Sequence, residues 1–418
     1  MIRLISSSCE YTVEPLKAPF GFKGGKSNYI RTISVCLKSE NNTAYGTSIQ
    51  GILWSDAGIY REYGEEKGNE LMFSLTDFAV KYLNGKKYER PEDIFPELER
   101  ITIEHAISLL GRKPRKTFVL NALVPVDNAL RFLYCRENGS NDFKTFAGDH
   151  AFFQCRHDKI AAIPLVTYNT SENEIKELAD NGTCIFKIKI GSDPDHDNDL
   201  DKMLTQDKKR LQEVHSILKG YETNYTDCGK IVYYIDANGR YDTAERINEL
   251  LDHAKKIDAF DRIVLLEEPF DETNHCDVSS LPVTVAADES IHDTDDAVLR
   301  IKLGYKAFAL KPIAKTVTRT VEIADIAYEH GIACFCADLT VTPLLVELNK
   351  NFAARLGVIP GMKIGILETN GAQNYVNWDK MKKVHPLYGE RFTTPANGIF
   401  YLDDMFYKTD GGIFLGGK

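Results

Sequence analysis

From residue 160 to residue 367 short apolar runs and amphipathic stretches take turns, and no other feature restricts the possible folds of this chain so much. Runs at 160–168, 184–190, 231–236, 263–267, 281–287, 307–311, 332–337 and 362–367 read as eight strands. Helical patterns at 171–179, 200–218, 243–254, 293–303, 316–330 and 343–356 fill the gaps. Only a short connection separates the fourth and fifth strands. Repeated βα units of this length favour a parallel sheet closed as a (β/α)8 barrel. An open doubly wound sheet would need a phosphate-binding glycine fingerprint or another switch-point signal, and none is found.

Before this region the chain reads as an α+β segment. Stretches 29–38 and 43–49 predict a hairpin around Glu40-Asn41-Asn42, followed by helices at 70–82 and 96–110. A further helix from about residue 126 carries Val126, Leu130, Phe132 and Leu133. At 418 residues the chain suits a barrel with an attached domain.

Composition excludes some functions. A net charge of −10 without a concentrated Lys/Arg stripe argues against a nucleic-acid or polyanion binder. Residues 1–10 lack a signal-like apolar stretch, and no apolar run approaches membrane-spanning length, so a cytoplasmic protein without a membrane partner is expected. Nine cysteines without Cys-x-x-Cys spacing read as reduced thiols, with Cys334 and Cys336 a buried pair on one strand face.

The strands end unusually. Lys187 and Lys189, Asp236, Glu267, Asp288 and Lys311 close successive runs, although buried strands are normally apolar and ionisable side chains rarely go inside unpaired. In a barrel the C-terminal strand ends form the active face. Lys187 and Lys189, two apart, share a face, while Phe186, Ile188 and Ile190 point toward the helices. Repulsion and partial desolvation of two ammonium groups predict that at least one loses its proton easily enough to serve as a base near neutral pH. Asp236, Glu267 and Asp288 come from three consecutive strands and need a counter-charge, which a hard divalent cation such as Mg²⁺ supplies. Lys311 on the sixth strand stands across the mouth from Lys189 on the second. Two bases on opposite sides of a held substrate suit a racemase or epimerase. Lys315 reads as an ordinary surface lysine.

The ordered set Lys187-x-Lys189, Asp236-Ala237-Asn238, Glu267-Glu268-Pro269, Asp288-Glu289-Ser290 and Lys311 resembles the enolase superfamily, specifically its muconate lactonizing enzyme subgroup with the dipeptide epimerases. The resemblance implies an N-terminal α+β capping domain (1–125), a modified TIM barrel (126–376) and a C-terminal segment returning to the cap (377–418). It also implies abstraction of a proton alpha to a carboxylate, with the enolate stabilised by Mg²⁺, Mn²⁺ being a possible substitute. By position Asp236, Glu267 and Asp288 become metal ligands, Lys189 and Lys311 the acid/base pair and Lys187 an auxiliary cation. Asn238 and Glu289 would orient the ligands. A small carboxylate partner and a homo-oligomer are implied as well.

Substrate contacts are expected from the glycine-rich segment with Phe20 and Phe22, from Trp54, and from Asp338, Glu368 and Asn370 after the last two strands. Dipeptide epimerases typically carry Asp-x-Asp after the eighth strand, where this chain has Glu368-x-Asn370; their Glu-Gln-Pro is Glu267-Glu268-Pro269 here. Cycloisomerisation or β-elimination, as in muconate lactonizing enzyme or o-succinylbenzoate synthase, is the alternative on the same site. A non-catalytic binding protein on this fold is the alternative of another class. His150, His157 and His196 are expected at the surface or behind the site.

Overall fold

The computed structural model describes residues 1–22, 25–193, 195 and 197–415, with only the backbone of residue 22. Two sheets organise it. The first holds β1 (Ile2–Phe22), β2 (Gly25–Ser39), β3 (Thr43–Gln50) and β4 (Lys87–Tyr88) in the antiparallel order β3-β2-β1-β4. Its β2–β3 pair is the hairpin predicted around residues 40–42, with Lys38 opposite Thr43.

β1 is less legible. Polar runs such as Ser6-Ser7-Ser8 and the interruption at Pro15 spoil its alternation, yet it pairs along β2 from Leu4 to Phe22 through two register shifts. Phe20, Gly21 and Phe22 therefore pair with Ser27, Lys26 and Gly25, and β1 also reaches the barrel. Leu16 bridges to Tyr375, and Lys17 Nζ donates to the Ala372 carbonyl at 2.8 Å.

The second sheet holds β5 (Lys159–Ile163), β6 (Leu165–Val166), β7 (Ile185–Lys189), β8 (Val232–Asp236), β9 (Ile263–Glu267), β10 (Val285–Ala287), β11 (Ala307–Leu310), β12 (Ala333–Cys336), β13 (Gly365–Glu368) and β14 (Ile399–Tyr401). β5 and β6 form one stave interrupted at Pro164, which has no N–H to give. Below the break the stave pairs with β13 on one side and, antiparallel, with β14 on the other; above it β6 pairs with β7. Eight parallel staves thus close into a barrel, and the terminal strand β14 occupies the lower part of the seam. No helix separates β9 from β10, as the short fourth-to-fifth connection suggests.

Strand alternation sorts the side chains. Ile185, Val232, Tyr234, Leu265, Ala286, Ala307, Ala309, Phe335 and Ile366 fill the interior. Phe186, Ile188 and Ile190 join the cluster between barrel and helices, along with Cys334 and Cys336. Small alanines face the bulky Tyr234 and Phe335, whose rings meet edge to face at 5.4 Å. All nine cysteines are unpaired thiols.

Helix Lys116–Glu137 runs across position 125/126 as one element and joins cap to barrel. Gly46 of β3 presses on it so closely that a Cβ would lie 2.1 Å from the Pro125 carbonyl oxygen. The buried Asp127 accepts from the backbone N–H of Val317 (2.8 Å) and Thr318 (3.0 Å), and Arg131 donates to the Phe146 carbonyl and Thr318 Oγ1. Among the described residues this is the one helix long and apolar enough to cross a membrane, contrary to the reading that no run approaches that length. It is largely buried in the protein, where Thr117, Asn121, Asp127 and Arg131 are hydrogen-bonded.

Candidate active site

Period-two alternation in the staves brings the ionisable residues to one mouth. Lys187 and Lys189 leave β7 on the same side as Ile185; Asp236 ends β8, Glu267 ends β9, Asp288 and Lys311 follow β10 and β11, and Glu368 ends β13. A cavity of about 70 Å³ at this mouth is lined by Lys187, Lys189, Asp236, Asn238, Asp288, Lys311, Asp338, Glu368 and Asn370 below and by Phe20, Ile30, Ile49, Leu53 and Trp54 from the cap.

The lysines sit on the carboxylates. Lys187 Nζ, buried, lies 3.0 Å from Asp236 Oδ2, from Glu267 Oε2 and from Glu368 Oε2, with the Tyr234 ring centroid 4.7 Å away. Burial works to lower its pKa, but the charges of Asp236, Glu267 and Glu368 outweigh it and hold the pKa well above the usual range. Of the two lysines, at least one of which is expected to lose its proton easily, Lys187 is therefore not that one. The carboxylates that decide the matter arrive from other staves, out of reach of a pairwise reading of one strand.

Lys189 Nζ donates to Asp236 Oδ2 at 2.5 Å and to Asn238 Oδ1 at 2.6 Å. Burial would raise the Asp236 pKa, but Lys187 and Lys189 bring it down to about 2. Four staves away Lys311 Nζ donates to Asp288 Oδ2 and stands 4.7 Å above the Trp54 ring. Against burial, Asp288, Glu289 and Glu267 push the Lys311 pKa up, and Lys311 and Lys315 push the Asp288 pKa down.

Glu267, Asp288 and Glu289 are buried and offer oxygens within 4.8 Å of one another. Glu289, expected only to orient ligands, is thus in the acidic group itself, and Asn238 Nδ2 donates to its Oε1 at 3.0 Å. Asp236 adjoins the group through Lys187. Both Glu267 oxygens lack a hydrogen-bond donor; the Lys187 contact is an ion pair out of line for one. Burial is the main cause raising the Glu267 pKa to about 8, with the neighbouring Asp288 charge adding to it. Buried carboxylate oxygens that crowd together and lack donors fit a hard divalent cation such as Mg²⁺.

Two residues here escaped the sequence reading. Lys315 is buried, not a surface group: its Nζ donates to the Asp288 carbonyl and lies 3.2 Å from Asp288 Oδ1. The irregular turn after Lys311 and Pro312 gives no period from which to infer that direction. Glu268 is buried too, and its Oε2 accepts from the Asp288 N–H at 2.6 Å and from Ser290 Oγ at 3.0 Å. The backbone is left-handed at Asn238 (φ 46°), Glu268 (φ 40°) and Thr340 (φ 56°), an accumulation of strained residues around the mouth.

The outer candidates divide. Phe20 and Trp54 line the cavity, Trp54 from the short helix Ile52–Ser55. The Phe22 side chain lies outside the described residues. Asp338 accepts backbone hydrogen bonds from Asn370 (2.7 Å) and Leu339 (2.8 Å), and burial, aided by the Glu368 charge, raises its pKa to about 7. Asn370 Oδ1 accepts from Thr340 Oγ1 at 2.8 Å. His150 pairs with Asp325 and His157 with the Leu356 carbonyl, neither at the cavity; His196 lies outside the described residues.

Residues 171–358 match the family described as enolase C-terminal domain-like. Beyond that match over the barrel region, the whole chain has the fold, barrel and cap, of solved mandelate racemase and muconate lactonizing proteins. A mandelate racemase/muconate lactonizing protein from Herpetosiphon aurantiacus is 16% identical with a TM-score of 0.65, over 96% of both chains. A dipeptide epimerase from Enterococcus faecalis, solved with Mg and L-Leu-L-Tyr, is 15% identical with a TM-score of 0.65, over 90% of this chain and 92% of its own. The L-talarate/galactarate dehydratase from Salmonella typhimurium is 16% identical with a TM-score of 0.63, over 96% of this chain and 88% of its own. No curated protein sequence matches the chain.

Proposed function

We propose that this protein is a Mg²⁺-dependent racemase or epimerase that removes a proton from the carbon next to a carboxylate and returns one to the opposite face. The observation that carries the reading is the placement of Lys189 and Lys311, four staves apart in a ring of eight, on either side of a buried carboxylate group at one cavity. Asp236, Glu267 and Asp288 would hold the cation, with Glu289 beside them. When bound, Mg²⁺ supplies positive charge where the substrate carboxylate gains negative charge.

The chain's own residues do the rest. One lysine, deprotonated, takes the α-proton while the other, protonated, delivers one from across the cavity. Lys187 keeps its proton through the neighbouring carboxylates and presents fixed positive charge to the substrate. Phe20, Ile30, Ile49, Leu53 and Trp54 form an apolar roof, which suits an amino-acid derivative or dipeptide with an uncharged, apolar substituent.

The test is a screen in D2O with Mg²⁺, using N-acyl amino acids and dipeptides of apolar, acidic and basic side chains. An epimerase leaves composition and connectivity unchanged and incorporates deuterium into both stereoisomers, chiefly in the apolar members. Loss of water or a new ring would favour the eliminating or cycloisomerising alternative. Failure of every α-carboxylate to exchange would remove the reading.

A further inference from the structure

Asp207 lies in helix Leu200–Leu218, outside the cavity, completely buried and with no cation in hydrogen-bonding contact among the described residues. Its carboxylate collects donors from three different stave exits. Tyr168 Oη, two residues beyond β6, donates to Oδ1. The Gly191 N–H, two residues beyond Lys189, donates to Oδ2 at 2.8 Å, and Tyr241 Oη, from the loop after β8, donates to Oδ2 at 2.7 Å. One helical turn later Arg210 Nη2 donates to the carbonyls of Thr167 and Thr170, fastening the first of these loops again.

A buried acid is costly, and a helix needs none to pack. What this one secures is the backbone leaving Lys189. Ile190 N–H donates to the Asp236 carbonyl at 2.9 Å, and the next residue, Gly191, is fixed by Asp207. Gly191 has φ 80°, and a Cβ there would lie 2.7 Å from Arg240 Cβ and 2.9 Å from the Ala237 carbonyl oxygen. The exit is thus packed too closely against the Ala237–Arg240 turn to admit a side chain at Gly191.

We infer that Asp207 is a positioning residue for Lys189, holding the exit of the second stave against those of the first and third so that the Lys189 amine is aimed into the cavity. The chemical importance of that aim rests on the function proposed above; the geometric claim does not. An acid in mid-helix serves proton transfer on one face only, because Lys311 hangs from a stave that Asp207 does not touch.

Two measurements test this on the full chain. The first is acetylation by acetic anhydride at fixed pH, read for each lysine by mass spectrometry, in wild type, Asp207→Asn and Tyr241→Phe. Tyr241→Phe retains the acid and removes one donor, so it informs even where Asp207→Asn does not fold. We expect the Lys189 rate to change about threefold or more, with Lys187, Lys311 and Lys315 unchanged relative to the exposed Lys176. An unchanged Lys189, or a uniform rise at all buried lysines, would overturn the inference. The second is deuterium exchange from L-Leu-L-Tyr and from L-Leu-D-Tyr, where loss confined to one epimer is expected and equal loss from both contradicts it. Lys189→Ala run alongside separates the two ideas. If it leaves exchange from both epimers intact, the base assignment fails, while the labelling result still decides whether Asp207 positions the amine.

Discussion

Glu267 concentrates the chemistry of the mouth into one residue. Both its oxygens are buried without a hydrogen-bond donor, and beside the Lys187 ion pair its neighbours are the carboxylates of Asp288 and Glu289. A cation that binds the folded protein stabilises it, by about 2.7 kcal/mol at roughly a hundred times its Kd. Mg²⁺ is therefore expected to raise the thermal midpoint of the wild type, and Glu267→Gln to abolish most of that rise; an equal rise in the variant would remove Glu267 from the ligands. The same residue gives a pH dependence. Glu267 and Glu268 are both raised to about 8 by burial, and Asp338 to about 7. Acids whose folded pKa exceeds the unfolded value bind more protons when folded, so their contribution to stability declines as pH rises toward the folded value. His292 and His385, both lowered chiefly by burial, act in the opposite sense below their ordinary value of 6.5. Above it the acids remain, and the Mg²⁺-free protein should melt at lower temperature at pH 8 than at pH 7, the loss shrinking when Mg²⁺ is added. A flat profile across that interval would contradict the burial of these acids.

At the scale of elements, strand alternation carried most of the readable information. Lys189, Asp236, Glu267, Asp288 and Lys311 stand at stave ends and were legible because a period of two allows only two directions. Helix 200–218 was legible over its whole span, but Asp207 was not distinguishable from the acids on its solvent face. Its partners, Tyr168, Gly191 and Tyr241, lie in three loops whose meeting is a product of closure. Lys315 and the direction of the Lys187 shift were hidden for the same reason. Helix Lys116–Glu137 illustrates an element whose polar residues matter more than its apolar majority. Asp127→Ala would strand the Val317 and Thr318 N–H groups and leave Arg131 with one carboxylate fewer, a buried-partner loss of about 3–5 kcal/mol. Chemical denaturation should show that loss as a lower midpoint, and a change below about 0.5 kcal/mol, within the surface range, would contradict it.

The molecule as a whole places a charged floor under an apolar roof. The floor belongs to the barrel, and the roof comes from β1, β2, β3 and helix Ile52–Ser55 of the cap, so the cavity exists only where the two parts meet. The full length of the β1–β2 pairing that brings Phe20 to this cavity was not legible around its glycine-rich segment, because the pairing is interrupted twice. Closure of the barrel sets Lys189 and Lys311 opposite one another, and the proposed reaction depends on that opposition more than on any single contact. The most direct measurement is α-proton exchange in D2O from each stereoisomer of a turned-over substrate, comparing Lys189→Ala and Lys311→Ala with the wild type. The account predicts that each variant loses exchange from one stereoisomer by about 10²–10⁴-fold, that the two variants fail on opposite stereoisomers, and that Mg²⁺ still binds. Exchange that survives in both variants, or is lost from the same stereoisomer in both, would contradict it.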